Sequence, residues 1–142
     1  MDNEYANSEG YADETPFLAM PELRAEERRR AKLARRPLVY VCSPYAGDIE
    51  ANVAAARRYS RFAVMRGAIP VAPHLLYPQF MDDGSPEERA LALRFGQILL
   101  DKCQELWSFG ERVSSGMEAE IARAKRRGME IRHFTDDLKE VH

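Results

Sequence analysis

The sequence predicts an α/β protein. The expected architecture is an open, mostly parallel, flavodoxin- or Rossmann-like sheet of four to five strands with helices on both faces. Three observations lead there. From Leu38 onward, short apolar runs rich in β-branched residues alternate with longer segments of helical periodicity. Caps and glycine stops punctuate the helical segments: Asp48 and Ser85 at starts, Gly67 and Gly128 at ends. The residues best suited to chemistry follow the strands, where sheets of this kind bind their ligands.

Residues 1–20 are polar, acidic and aperiodic and read as a disordered tail. Pro21 opens a charged helix or linker over 21–36, with Glu22, Glu26 and Glu27 preceding Arg30 and Lys32 in the favoured order. Its apolar content is thin, so packing on its own domain cannot hold it, and Pro37 ends it. The α/β domain is expected over 37–142. LVYVCS (38–43) is the first strand, turning at SPYAG. Asp48 caps a helix whose apolar positions are Ile49, Val53, Ala56, Phe62, Val64 and Met65. AIPVAP (68–73) reads as a strand whose two prolines suit its ends or an edge. A long loop, HLLYPQFMDDGS, then reaches Ser85, which caps a helix from Pro86 to about Lys102. ELWSFG (105–110) is the third strand, a helix runs from about Gly116 to Arg127, and MEIRHF (129–134) is the fourth strand. DDLKEV is expected to form a short terminal helix.

Composition removes several function classes. The chain has 142 residues, 21 basic and 23 acidic, and a hydrophobic content of 45%, enough for one folded core. Charge is uneven: residues 1–15 carry five acids and no base, and residues 22–36 carry seven Arg or Lys against three Glu. The remainder is nearly neutral, so nucleic acid is not an expected partner. No run approaches the ~18–20 apolar residues of a membrane span. Cys42 and Cys103 show neither zinc-site nor disulfide-framework spacing, and a reducing cytoplasm is the expected setting. Nothing else in the sequence points to a metal or organic cofactor, and none is expected. Trp107 reads as a core or interface residue, Cys42 as a small core hydrophobe, and Asp82-Asp83 as turn composition.

The segment SSGMEAEIARA (114–124) is the strongest candidate for chemistry. Small residues at a strand-to-helix turn allow close backbone approach, and the free N–H groups of a first helical turn favour an anion. At about 100° per residue, Met117, Ile121 and Ala124 form the inward stripe, with Glu120 beside it and Glu118 turned away. A carboxylate at the buried edge of a helix is costly unless it has a task. The alternative is an ordinary solvated helix glutamate.

This segment resembles the SxGxxxELxxA stretch of the nucleoside 2-deoxyribosyltransferases and the related 2'-deoxynucleoside 5'-phosphate N-hydrolases. Within that superfamily, residues 38–134 look most similar to small bacterial and phage domains with a VYVCSPY…APHLLFPQF…GMxxEIxxA pattern. The resemblance implies that Glu120 is a catalytic nucleophile attacking C1' of a (deoxy)ribose, releasing the base through a covalent glycosyl-enzyme. It implies a 5'-phosphate contact for Ser114, turn backbone from Ser115, Gly116 and Met117, a sugar-and-base wall from Ser43, Pro44 and Tyr45, and a ligand contact for His74. The implied partner is a nucleotide or nucleoside, and the expected assembly is a homo-oligomer. One position departs: the family's upstream aspartate falls on Gly96. Asp101, after a helix register shift, or Glu111 are the available auxiliary acids. Two other readings share these residues, a nucleotide-binding module without catalysis and an interaction protein using residues 1–36.

Overall fold

The computed structural model describes residues 19–142. The expected acidic tail lies almost wholly in residues 1–18, outside the described residues. Two compact units divide the chain, the second spanning Arg36–His142. In the first, helix α1 (Met20–Ala34) places Pro21 in its opening turn, and the Ala19 N–H donates to the Glu22 carboxylate at 3.2 Å. Glu26 pairs with Arg29 at 2.6 Å and Arg30 at 3.4 Å, and no α1 side chain is buried. Charge pairing along its own surface is thus what this helix offers locally.

The second unit is built on five strands: β1 (Leu38–Cys42), β2 (Ile69–Val71), β3 (Glu105–Phe109), β4 (Glu130–Phe134) and β5 (Glu140–Val141). Their spatial order is β2-β1-β3-β4-β5, with β5 alone antiparallel. The sheet therefore switches direction of growth between β1 and β3, the place where open α/β sheets leave a crevice beyond their carboxyl ends. The helices are α2 (Ile49–Met65), α3 (Pro73–Leu76), α4 (Pro86–Asp101) and α5 (Ser115–Arg126).

Strand alternation divides the interior into two cores. Val39, Val41, Trp107, Phe109 and Phe134 pack with Tyr59 and Ala63 of α2 on one face. Tyr40, Cys42 and Leu106 pack with Leu100, Met117 and Ala124 on the other. Phe62 makes edge contacts with Phe109 and Phe134, and Tyr59 stacks on Phe109 with ring centres 4.4 Å apart. Trp107 is buried as expected, its indole N–H donating to Glu105 at 3.0 Å. Gly67 and Gly128 take the left-handed conformation that the expected helix stops require, with φ of 85° and 71°.

Three local expectations change. The terminal segment is not a helix. Thr135, at the end of β4, accepts from Leu138 N–H at 2.9 Å, Leu138 adopts φ 67°, and the chain reverses to pair β5 with β4. Arg132 secures this return, donating twice to Glu140 at 2.8 and 2.5 Å while its guanidinium lies 5.0 Å from the Trp107 ring centre. Six residues are too few to nucleate a helix against such a partner. Secondly, the loop after β2 is partly helical. Pro73 starts α3, and a 3-10 turn over Tyr77–Gln79 follows, so β2 ends at Val71. Thirdly, α2 buries Ala56, Tyr59 and Ala63, whereas Ile49 and Met65 are exposed.

Candidate active site

A cavity of about 810 Å³ opens at the carboxyl ends of β1 and β3. Its walls come from the β1–α2 turn, α3 and the segment after it, α4, and the start of α5. Each wall is fixed by local chemistry. The Asn52 side-chain amide donates to the carbonyls of Tyr45 and Ala46, both at 3.0 Å, pinning the first turn. Asp48 caps α2 by accepting from Ala51 N–H at 3.2 Å. Ser85 caps α4 by accepting from Glu88 N–H at 3.3 Å. Ser114 caps α5 by accepting from Met117 N–H at 3.2 Å.

The expected site residues converge there with three exceptions. Glu120, Ser43, Tyr45, His74, Ser114, Ser115, Gly116 and Met117 all line the cavity. Pro44 sits next to it without lining it. Asp101 does not reach it, because Arg123 holds both carboxylate oxygens at 2.7 Å and Arg127 adds a contact at 3.3 Å. That pairing keeps the Asp101 carboxyl below the usual range, an anion committed to its partners. The register shift that would have turned Asp101 inward does not occur. Gly96 is one of the α4 residues that line the cavity, and a Cβ there would lie 3.7 Å from the Tyr40 hydroxyl and 3.9 Å from Pro73. Glu111 is exposed and lies outside the lining. Neither proposed auxiliary acid therefore belongs to this cavity.

Glu120 is the electrostatic centre of the cavity. The angular reading holds: Met117 is buried, Glu118 exposed and Glu120 between them. One Glu120 carboxylate oxygen, Oε2, is buried without a hydrogen-bond partner. Burial pushes the carboxyl up to about 7, and the nearby Tyr40 hydroxyl offsets part of that by favouring the charged form. An unsatisfied buried carboxylate oxygen costs about 1–3 kcal/mol, more when charged, so this group is held ready rather than satisfied. Burial first, then the Glu120 charge, raises the Tyr40 hydroxyl, keeping it a neutral donor. The Cys42 thiol is raised for the same two reasons, which keeps it unreactive.

The far wall differs in character. Tyr45 and His74 stack at 5.0 Å between ring centres and 20° between planes. Burial lowers the His74 pKa and Asp83 opposes it, so the ring is neutral at pH 7. Asp82, Asp83, Glu88 and Arg89 complete that side, with the Arg89 guanidinium donating to the Asp83 carbonyl at 3.2 Å. Arg126 lines the α5 side. The cavity thus has an aromatic end, a carboxylate floor and a rim that carries both arginines and acids. No cluster of three or more His, Cys, Asp or Glu side chains suits a metal ion among the described residues.

Tyr40 is among the lining residues missed by sequence reading, with Asp83, Arg89 and Arg126. Its signal was a lone hydroxyl in an otherwise aliphatic strand, on the same side by alternation as Cys42 and the Met117 stripe.

The fold is that of the nucleoside 2-deoxyribosyltransferases. A 2-deoxyribosyltransferase from Bacillus psychrosaccharolyticus superimposes with a TM-score of 0.59 at 14% identity, over 69% of this chain and 72% of that one. A 2-deoxyribosyltransferase from Leishmania mexicana gives 0.49 at 12% identity, over 70% of this chain and 64% of that one. No curated protein matches the sequence. By sequence, the chain belongs to the family described as a domain of unknown function, DUF7768, whose model matches residues 37–134.

Proposed function

We propose that the protein cleaves the N-glycosidic bond of a nucleoside or nucleotide, by hydrolysis or by (deoxy)ribosyl transfer, with Glu120 as nucleophile. The observation that carries this reading is the unpartnered Glu120 oxygen at the floor of a cavity large enough for a nucleotide. In this reaction the carboxylate forms a bond to C1' as the bond from C1' to the base nitrogen breaks. The base leaves with the electron pair, and water or a second base then releases the sugar from Glu120. The developing positive charge on the sugar favours an adjacent anion in a cavity of low dielectric. The nucleophile must be ionised, so turnover rises with pH through about 7, the value to which burial moves this carboxyl. The Tyr40 hydroxyl orients it. Tyr45 and His74 supply an aromatic surface for the base, and the first turn of α5 with Ser114 and Ser115 receives the 5' end. The arginines at the rim support a phosphorylated substrate.

Leaving-base protonation is not served by Asp101 or Glu111. Asp83, close enough to act electrostatically on both Tyr45 and His74, is the cavity acid we assign to the aromatic end. Gly96 in place of an acid beside Tyr40 favours a second reading, a nucleotide-binding module without turnover. A homo-oligomer completes the proposal, supported by exposed apolar residues on α4.

Chromatography of a mixed nucleoside and nucleotide pool incubated with the full chain tests the reading. Free base should accumulate from at least one component, and Glu120→Gln should abolish its release. Thermal stabilisation by a nucleotide with no base released supports the binding module. Neither stabilisation nor release removes both.

A further inference from the structure

Helix α2 keeps on its outer side a stripe that the core does not use. At about 100° per residue, Arg57, Arg58, Arg61 and Met65 fall within roughly 100° of one another, opposite the buried Ala56, Tyr59 and Ala63. All three arginines are exposed, and Met65 is 70% exposed. With the half-buried Phe62 and Leu138 they line an open groove of about 530 Å³, which shares no residue with the cavity described above. Two features of this groove work against the stability of the fold. Arg61 stands four residues from Arg57 and three from Arg58, spacings at which like charges repel along a helix. No acid occupies the positions three or four residues from any of them, and among the described residues none lies within ion-pair distance. Helix α1 differs, since its Glu26 pairs with both Arg29 and Arg30. Asp136 on the β4–β5 return acts on the same Tyr59 ring whose centre lies 5.6 Å from Arg58, so Arg58 alone has an acid in its vicinity. The second feature is Leu138, whose φ of 67° suits glycine or asparagine better. Its side chain packs against the core and gives its remaining surface to the groove.

We propose that this groove binds an acidic polypeptide segment of a partner protein, one that carries an aliphatic or aromatic residue between its carboxylates. Charge complementarity selects the acids. Guanidinium forks hold carboxylates through paired N–H donors, and an anionic partner relieves the repulsion among Arg57, Arg58 and Arg61. The apolar half selects the residue between them. Met65 is a flexible side chain that adapts to an inserted one, and Phe62 and Leu138 give that residue an apolar surface to cover. A nucleic acid fits less well. From Arg57 to Arg61 the helix rises only about 6 Å, too short to follow a backbone whose affinity grows with each phosphate neutralised. Phosphates also have no use for the apolar half. Because the groove and the cavity have no residue in common, the inference is independent of the glycosyl chemistry.

Fluorescence anisotropy on the full chain at about 0.15 M salt, where weak surface attraction is screened, tests it without any substrate. The probe is a labelled polyglutamate peptide with a central Phe-Leu pair. An all-glutamate peptide of the same length and an oligothymidylate of the same charge are the comparisons. The Phe-Leu peptide should bind saturably, and the all-glutamate peptide about tenfold more weakly. Arg57→Glu, Arg61→Glu and Met65→Glu should each weaken binding of the Phe-Leu peptide about tenfold with the melting temperature unchanged. Arg61→Gln should weaken it less than Arg61→Glu. No binding of the Phe-Leu peptide, equal affinity for the all-glutamate peptide, or tighter binding of the oligothymidylate overturns the proposal. So does binding that survives the α2 changes and is lost in Arg28→Glu with Arg35→Glu, which would assign the peptide to α1.

Discussion

Glu120→Gln should make the protein more stable, and by an amount that depends on pH. The folded state holds this carboxyl near 7, above the 4.5 of a free glutamate. Folding therefore favours the protonated form, and ionisation opposes it. The penalty is absent below about 4.5, grows as pH rises from there to about 7, and is constant above. Each pH unit of displacement is worth about 1.36 kcal/mol, so the charged carboxylate costs about 3 kcal/mol at pH 8 and under about 1 kcal/mol at pH 5. Glutamine keeps the shape and never ionises. Thermal melts of wild type and Glu120→Gln at the two pH values read the difference. At pH 8 the variant should melt higher by on the order of 10 °C, and at pH 5 the gap should shrink to a few degrees. Equal melting temperatures at pH 8, or a variant less stable than wild type there, would refute the claim that Glu120 is buried without adequate partners.

Tyr40→Phe removes the one group that favours the charged carboxylate, so the midpoint of the pH–rate profile should move upward from about 7, which steady-state rates across pH 5–9 would show. Asp101→Asn and Glu111→Gln should leave base release within about twofold of wild type, because neither side chain reaches the cavity; a loss beyond tenfold would reinstate one of them. Arg132→Ala should destabilise the fold by roughly 1–2 kcal/mol through lost stacking on Trp107, measured by urea unfolding, and should leave nucleotide binding intact.

How much of this was legible in the sequence depends on whether the signal is local. β1, β3, β4, α4 and α5 are periodic and capped by neighbouring residues, and they appear within a residue or two of expectation. The convergence of Ser43, His74, Ser114 and Glu120 was also legible, since each follows a strand of a parallel sheet and those ends meet by topology. The failures are long-range. Nothing in DDLKEV announces that Arg132, four residues earlier, will hold Glu140 against the sheet edge. The burial of Tyr59 depends on the ring of Phe109, fifty residues away. Asp101 was a credible acid until Arg123, on another helix, claimed it. Tyr40 read as one more apolar strand residue because its partner lies on α5, far along the chain.

The most direct measurement is intact mass of the protein after incubation with a 2'-fluoro nucleoside or its 5'-phosphate, whose fluorine slows release of a sugar bonded to the enzyme. The expected result is an added 2-fluoro-2-deoxypentosyl mass (with its 5'-phosphate when the nucleotide is used) on a fraction of the chain, located on Glu120 by peptide mapping and absent from Glu120→Gln. Base released without any such adduct, or an adduct on another residue, would contradict it.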